Sequence, residues 1–499
     1  MSQVAHSLKS LLRDRVDIPS MLDVWIHGLS ADSRQVRSGD AFMALAGASG
    51  DAWAHVDEAV ANGAAAVLLD TGVGRAPSRP REYRDAVLVP VAGLADAMAG
   101  LADHFYHQPS AHLTLIGVTG TNGKTSVAGF IAAILEAAGI PAATMGTLGY
   151  TFGEFREAAS HTTPDVVRVH SLLARFRDMG AKAVIMEVSS HALVQGRVDR
   201  VRFDAGVFTN LSPEHLDYHP DMAAYGAAKA RLFTEHEPQV AVVNADDDFG
   251  QRLVGQLPPE IGLWRFGRTA PQLECRLRNA RAAANGMAAI LDTRMGRLTL
   301  QTGLMGYFNL ENLAAAGAAA LAMGVPTTVV EAAACQLNAP PGRLETRSTL
   351  SGLKLVIDYA HTAASLEQTL EALRPHTGGD LWCVFGCGGN RDKAKRGAMG
   401  EVAERLSDQV VLTDDNPRDE APEAIVEDIL TGMAGTCGIR VIHDREDAIV
   451  TAFREAGPAD LVLIAGKGHE TTQERDGFRI PFSDAEVVHR LISEGGEAA

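Results

Sequence analysis

Little cysteine, few aromatic residues, no long apolar run and no basic block: each shortage in this chain removes a class of protein. Five cysteines in 499 residues cannot build a disulfide framework, and an odd number of free thiols fits a reducing compartment. Cys383 and Cys387 lie in an apolar, glycine-rich passage without clustered histidines, so they are expected to be buried thiols rather than a metal pair. No segment approaches the ~18 apolar residues of a membrane span. The N-terminus also lacks a charged region followed by a long apolar core. The expected setting is the cytoplasm, with no membrane contact. Lysine and arginine total 45 against 62 acidic residues, a net charge of −17. With no basic block to offset that charge, nucleic acid is not an expected partner. An anionic small molecule is compatible with it, because a phosphate site needs only local positive charge.

What the chain does have is Leu115-Ile116-Gly117-Val118-Thr119-Gly120-Thr121-Asn122-Gly123-Lys124-Thr125-Ser126. A short apolar run, expected to be a buried strand, ends in a glycine-rich turn; a Lys-Thr pair and a helical pattern from Val127 to Ala138 follow. That order gathers backbone N–H groups, a helix N-terminus and an ammonium around one point, which suits a triphosphate, with a hydroxyl of Thr125 or Ser126 available to Mg²⁺. The common G-x-x-x-x-G-K-[ST] spacing would need glycine where Val118 stands, so this is a phosphate loop of an unusual subtype. A tight strand-to-helix turn with a surface lysine is the plainer alternative.

At ~150 residues per domain, the length suggests about three domains. Residues 1–92 mix short strand and helix patterns, as a small α/β domain would, with Asp32-Ser33-Arg34 in a polar loop. A helix spans Leu94 to Tyr106. From 93 to 345 apolar runs ending in polar residues, such as Val184 to Val188 and Val240 to Asn244, alternate with helical stretches. That alternation predicts a doubly wound parallel sheet with ligands at the carboxyl ends of its strands. Residues 263–304 alternate apolar and polar positions, as an antiparallel addition would, and a helix is expected over Asn312 to Met323. Residues 346–499 repeat the strand–helix alternation, predicting a second, Rossmann-like sheet, with a frayed tail over Glu494 to Ala499.

Polar residues cluster at the predicted strand ends. Glu187 opens Glu187-Val188-Ser189-Ser190-His191, where a carboxylate could reach a phosphate-bound Mg²⁺. Thr209 to His219 follows another strand and offers His215 to a metal, although Mg²⁺ prefers oxygen. Singly, each is more often a loop histidine or a capping serine; together, after one phosphate loop, they make a functional cluster.

Gly120 to Thr125, Glu187 to His191, Asn210 to His219, Gly306-Tyr307-Phe308-Asn309-Leu310-Glu311-Asn312, Gly342-Arg343-Leu344-Glu345 and Asp358-Tyr359-Ala360-His361-Thr362 resemble, in order, the motifs of the Mur ligase superfamily. The resemblance covers nearly the whole chain and is strongest to the diaminopimelate-adding type. It implies an ATP-dependent amide-forming enzyme of peptidoglycan precursor synthesis. Its substrates would be ATP, UDP-N-acetylmuramoyl-L-alanyl-D-glutamate and meso-2,6-diaminopimelate. It would use Mg²⁺, pass through an acyl phosphate, and work as a monomer.

Residue by residue, the resemblance assigns the ATP side to Gly120, Thr121, Asn122, Gly123, Lys124, Thr125, Ser126, Asn309, Arg343, Asp358 and His361. It assigns catalysis to Lys124, Glu187, His215 and Lys229, and metal binding to Thr125, Glu187, His215 and Lys229, the last as a carbamate. Ser33, Thr162, Thr163, Ser189, Gln195 and Arg197 fall on the nucleotide-sugar substrate; hydroxyls and an arginine suit its phosphate, sugar and carboxylate. The incoming amino acid falls to Arg391, Asp415, Asn416, Pro417, Arg418, Gly466 and Glu470. Arg418 can hold the distal carboxylate of diaminopimelate in a bidentate pair. Lysine lacks that carboxylate, which is how Arg418 weighs against a lysine-adding relative. A folylpolyglutamate synthase-like enzyme should lack the Thr162–Thr163 and Ser189–Arg197 matches, and a nucleotide-binding switch or scaffold would have no use for Lys229, Glu187 and His215 together.

Overall fold

A computed structural model describes residues 5–45, 52–72, 76–283, 285–435 and 438–495. By compactness the chain divides into two units, Met1–Arg265 and Phe266–Ala499.

After a short two-stranded pair, His6–Ser7 with Trp25–Ile26, the first unit builds a five-stranded sheet of β1 (Gly28–Ser30), β2 (Asp40–Ala44), β3 (Ala66–Asp70), β4 (Arg81–Tyr83) and β5 (Ala86–Val91), in the order β1-β2-β3-β5-β4. All pairs are parallel except the β4 edge. Between β2 and β3 a 3₁₀ turn, Ala52–His55, leads into the helix Val56–Ala61. Helix α1 (Leu94–Phe105) buries Leu94, Ala97, Met98, Leu101 and Phe105, the 3.6-residue stripe of a helix on a sheet.

Next comes a larger sheet. Its elements are β6 (Thr114–Thr119), α2 (Lys124–Ala137), β7 (Ala142–Gly146), β8 (Gly149–Phe152), β9 (Phe155–Glu157), α3 (Val166–Met179), β10 (Ala183–Glu187), β11 (Ala205–Phe208), α4 (Met222–Thr234) and β12 (Val240–Asn244). The strand order is β9-β8-β7-β10-β6-β11-β12, antiparallel at the β9–β8 and β8–β7 pairs and parallel along β7-β10-β6-β11-β12. Parallel strands covered on both faces must be apolar throughout, and Ala183–Glu187 and Ala205–Phe208 are buried at every position. The helices begin where side chains supply caps: Asp165 accepts from Arg168 N and Asp221 from Ala224 N. The first strand, β6, lies centrally, with β10 and β7 on one side and β11 and β12 on the other. Its carboxyl end is therefore a topological switch point, where such sheets bind ligands.

The second unit starts with the antiparallel meander β13 (Cys275–Ala283), β14 (Gly286–Thr293) and β15 (Gly296–Thr302), the addition expected near 263–304. Helix α5 (Tyr307–Ala322) starts five residues earlier than expected, because Gly306, at φ +83°, turns the chain into it directly. Then come β16 (Arg343–Ser348), β17 (Lys354–Asp358), β18 (Leu381–Phe385), α6 (Ala394–Leu406), β19 (Gln409–Leu412), β20 (Gly438–Val441) and β21 (Leu461–Ala465). They form a six-stranded sheet ordered β16-β17-β21-β18-β19-β20, parallel except for β16. The hairpin of β22 (Thr472–Arg475) and β23 (Phe478–Pro481) precedes the last described helix, α7 (Asp484–Gly495). Glu494, expected to be frayed, belongs to α7, and residues 496–499 lie outside the described residues. Among the described residues no helix is long and apolar enough to cross a membrane.

Candidate active site

At the carboxyl end of β6 the chain turns through Gly120 to Gly123 into α2. Gly120 sits at φ +148°, and a Cβ there would stand 1.9 Å from the Thr209 hydroxyl oxygen, so only glycine fits. Thr209 Oγ1 donates to Asn122 O (2.6 Å), Asn210 Oδ1 accepts from Asn122 N (3.0 Å), and Thr121 N donates to Asn210 O (2.8 Å). The loop after β11 thus shapes the loop after β6. No side chain caps α2, so its first-turn N–H groups are open to an anion without competition from a capping oxygen. Lys124 Nζ folds back onto the carbonyls of Gly120 (2.9 Å) and Thr121 (2.8 Å).

Thr125 Oγ1 donates to Glu187 Oε2 at 3.0 Å. Glu187, buried at the end of β10, also accepts from Thr147 N (2.9 Å) and Thr147 Oγ1 (3.2 Å). A hydroxyl and a carboxylate, both hard oxygen donors beside a phosphate loop, fit the few protein ligands that Mg²⁺ takes while phosphates and water complete its shell. Among the described residues no group of three or more His, Cys, Asp or Glu side chains gathers as a metal nest.

Lys229, on α4, is 1% exposed, yet its Nζ donates to the same Gly120 carbonyl (2.7 Å) and lies 4.3 Å from the centre of the Tyr225 ring. Burial first, and then the nearby Lys124 ammonium, push its pKa well below the usual lysine value. A neutral amine is the nucleophilic form, the one that reacts with carbon dioxide to give a carbamate. His215 makes no hydrogen bond with Thr125 or Glu187 among the described residues. At φ +56° it is in the left-handed region, and its ring packs 4.8 Å from that of His191 and 6.2 Å from that of Tyr225. His191, Tyr218 and His219 complete this ring cluster, with His219 Nε2 3.0 Å from Ser190 Oγ. Burial, and then neighbouring His215, keep both His191 and His219 below the usual histidine pKa.

Five of the six residues expected at the nucleotide-sugar substrate converge. Thr163 Oγ1 donates to Glu187 O (2.7 Å) and accepts from Ser189 N (3.1 Å). Arg197 donates to Thr163 O (2.7 Å) and, through Nε and Nη2, to Gln195 Oε1 (2.9 and 2.7 Å). Thr162 Oγ1 lies 3.1 Å from Thr147 Oγ1, which ties this cluster to Glu187. The sixth, Ser33, opens a 3₁₀ turn after β1 and gives its hydroxyl to Glu58 Oε2 (2.5 Å).

In the second unit, the residues expected on the ATP side occupy the start of α5 and the β16–β17 region. Asn309 is buried and donates to Met305 O (2.9 Å). Arg343 lies over the Tyr359 ring at 5.0 Å, and its buried Nε has no partner among the described residues. Asp358 accepts from Leu344 N (2.8 Å), Ala360 N (2.9 Å) and Thr369 Oγ1 (3.2 Å). Burial raises its pKa despite those bonds. His361 stacks near Tyr359 at 4.7 Å.

The residues expected to take the amino acid come from loops after β18, β19 and β21, which are neighbouring parallel strands. Asn416 Nδ2 donates to Glu470 Oε2 (2.9 Å), which also accepts from Lys467 Nζ (3.0 Å); Lys467 Nζ further donates to Asn416 Oδ1 (3.1 Å). Asp415 is buried against Gly466, where a Cβ would come within 2.6 Å of its Oδ2. Burial raises the Asp415 pKa, with Arg445 and then Lys467 opposing the rise. Pro417 leads into Arg418, which is at φ +53°, in the left-handed region. Arg418 Nη1 donates to Gly389 O (2.8 Å), and Arg391 lies exposed on the same loop.

Sequence reasoning missed three contributors. Thr147, which orients Glu187, carries no motif. Lys467 sits inside the Gly466 to Glu470 motif, and its complete burial is the signal that its ammonium must be paired. Glu474 is visible only through the hairpin that brings it to Arg418.

Three family profiles match the chain: the Mur ligase family catalytic domain over residues 25–106, the Mur ligase middle domain over 118–320, and the Mur ligase glutamate ligase domain over 342–468. The UDP-N-acetylmuramoyl-L-alanyl-D-glutamate--2,6-diaminopimelate ligase of Pseudomonas aeruginosa is 46% identical over 94% of this chain and 96% of its own length. The ligase of the same name from Vibrio vulnificus is 42% identical over 97% and 98%. A solved structure of a ligase of that name superposes with a TM-score of 0.73 at 32% identity, covering 98% of this chain and 99% of the other. Folylpolyglutamate synthase of Mycobacterium tuberculosis, at 20% identity and a TM-score of 0.59 over 74% of this chain and 91% of its own, shares the fold alone. With identity of this order along almost its entire length and three matched domains in sequence, the chain belongs to the Mur ligase family.

Proposed function

We propose that this chain is an ATP-dependent ligase that adds meso-2,6-diaminopimelate to the D-glutamate side-chain carboxylate of UDP-N-acetylmuramoyl-L-alanyl-D-glutamate, in peptidoglycan precursor synthesis. The observation that carries the choice of amino acid is the cluster of Arg418, Asn416 and Glu470 on adjacent loops. A guanidinium and a carboxylate on one site suit a molecule bearing both carboxylates and ammonium groups. Lysine offers no distal carboxylate to Arg418.

The chemistry follows from charge. A carboxylate must approach the γ-phosphate of ATP, and two anions repel. Lys124 and the α2 N-terminus offset that repulsion, and Mg²⁺ held by Thr125 and Glu187 would neutralise phosphoryl oxygens. The substrate carboxylate attacks phosphorus, ADP leaves, and an acyl phosphate forms. The diaminopimelate amine then attacks the acyl carbon and phosphate departs, leaving the amide. Lys229, buried beside the loop with its pKa well below the usual lysine value, is the residue to carry a carbamate, which turns an amine into an anionic oxygen ligand. Thr162, Thr163, Ser189, Gln195 and Arg197 hold the nucleotide-sugar peptide, with Ser33 on the N-terminal sheet. Asn309, Arg343, Asp358 and His361 serve the nucleotide. The domains run over 1–92, 93–345 and 346–499, and the protein works as a cytoplasmic monomer without nucleic-acid or membrane partners.

Phosphate release in the presence of ATP, Mg²⁺ and UDP-muramoyl-dipeptide tests this. It should depend on added diaminopimelate and stay near background with lysine. Release indifferent to the amino acid would refute ligation, and equal release with lysine would refute the specificity.

A further inference from the structure

The hairpin β22–β23 belongs to none of the motifs, yet it is fastened to the Asn416-Pro417-Arg418 turn by Glu474. Arg418 N donates to Glu474 O (3.0 Å), and Glu474 N donates to Asn416 Oδ1 (2.9 Å). Glu474 Oε2 accepts from Arg418 Nε (3.0 Å), while its Oε1 accepts from Nε of Arg479, its cross-strand partner (2.9 Å). Arg418 O accepts from Asp476 N (2.8 Å). One residue therefore touches the amino-acid cluster through its backbone and side chain together.

A guanidinium can grip a carboxylate along its Nε–Nη edge or end-on through its two Nη groups. Here the Nε–H is taken by Glu474 and one Nη1–H by Gly389 O, and Nη2 makes no hydrogen bond among the described residues. The end-on fork is the part left for a ligand. Glu474 also puts a negative charge on the Nε side, which turns a second carboxylate away from that edge. Gly388 leaves the space for this orientation: a Cβ there would lie 3.0 Å from Arg418 Nη1 and 3.7 Å from Arg391 Cγ. The Asn416 amide is fixed in the same way, its oxygen accepting from Glu474 N and Lys467 Nζ and its nitrogen donating to Glu470.

We infer that Glu474 is a positioning residue of the amino-acid site: it holds the Arg418 guanidinium so that its Nη1–Nη2 end meets the distal carboxylate of the amino acid, and it fixes the Asn416 amide beside it. The inference rests on the proposed diaminopimelate reading. It makes the hairpin, rather than the Asp-Asn-Pro-Arg turn alone, the carrier of selectivity.

Steady-state phosphate release by the full chain, with each substrate varied in turn, provides the test. Glu474→Ala should raise KM for diaminopimelate about 10-fold, with kcat and the KM values for ATP and the nucleotide-sugar peptide within about twofold. Glu474→Gln keeps an oxygen acceptor for Nε and should recover most of that loss. In an Arg418→Ala background, Glu474→Ala should add little, because the residue acts through Arg418. An unchanged KM for diaminopimelate in Glu474→Ala, or fully additive losses in the double variant, would overturn the inference. So would a fall in kcat with every KM affected alike. If Glu474→Ala does not fold, Glu474→Gln and Arg479→Ala decide by the same split, each expected to raise that KM alone by about two- to threefold. Wild-type release indifferent to diaminopimelate would instead break the underlying functional reading, so the two failures are told apart before any variant is made.

Discussion

The two clusters lie at the same architectural place, the carboxyl ends of parallel strands, but they handle charge in opposite ways. In the Met1–Arg265 unit, Lys124 and Lys229 both donate to one backbone carbonyl, Gly120 O, and among the described residues no carboxylate forms an ion pair with Lys229. In the amino-acid cluster of the Phe266–Ala499 unit, Arg418 is paired with Glu474 and Lys467 with Glu470. The first arrangement sets the Lys124 ammonium beside the uncapped N-terminus of α2 and suits a polyanion; the second is balanced and suits a zwitterion. A site's net charge follows its ligand, whereas its place in the sheet follows strand geometry alone.

The largest expected effect would break the positive side of the comparison. Lys124→Ala or Lys229→Ala should each lower kcat by about 10²-fold or more, the scale of a lost charge-stabilising group. Short carboxylic acids added to Lys229→Ala should restore part of the rate by replacing the carbamate oxygens; full activity without them would remove Lys229 from the mechanism. Next, Arg418→Ala should cost about 2–4 kcal/mol of diaminopimelate binding while ATP binding stays nearly constant. Calorimetry of each ligand separates the two, and an equal ATP defect would contradict the division of labour. Lys467→Met, which leaves Glu470 and Asn416 without their buried donor, should lower stability by about 1–3 kcal/mol in thermal unfolding. An unchanged melting temperature would mean that the balanced network is not structural.

The most gradual change is expected with pH. The pKa of Lys229 is lower in the folded chain than in the unfolded one. Between the lowered value and the ordinary lysine value near 10.5, the unfolded chain carries a proton that the folded chain lacks. Its contribution therefore makes stability rise with pH across that window, and it is most unfavourable below the lowered pKa. In buffer free of carbon dioxide, Lys229→Met should flatten that rise; an identical profile would place the lysine in a solvated setting.

Particular residues show how far the sequence was legible. The β6–loop–α2 unit could be read directly, because a glycine-rich turn between an apolar run and a helical period is contiguous and built from backbone groups. The parallel sheets followed from alternation, and the antiparallel meander from period-two patterning. The start of α5 was placed late because the expected helix was read from the alanine-rich run alone; a positive φ at Gly306 lets the helix begin at once, at Tyr307. The hairpin β22–β23 went unread, since its side chains are mostly exposed and carry no clear apolar period.

Sequence by itself determined the fold class, the phosphate loop and the family, because those rest on local order: apolar period, turn residues and motifs in series. Tertiary structure alone decided which groups share a proton or a charge. Glu187 meets Thr125 across 62 residues, Lys229 meets Gly120 across 109, and Arg418 meets Glu474 across 56. Hydrogen bonds and pKa shifts act over a few ångströms of space, and no local pattern records which distant segments will come that close.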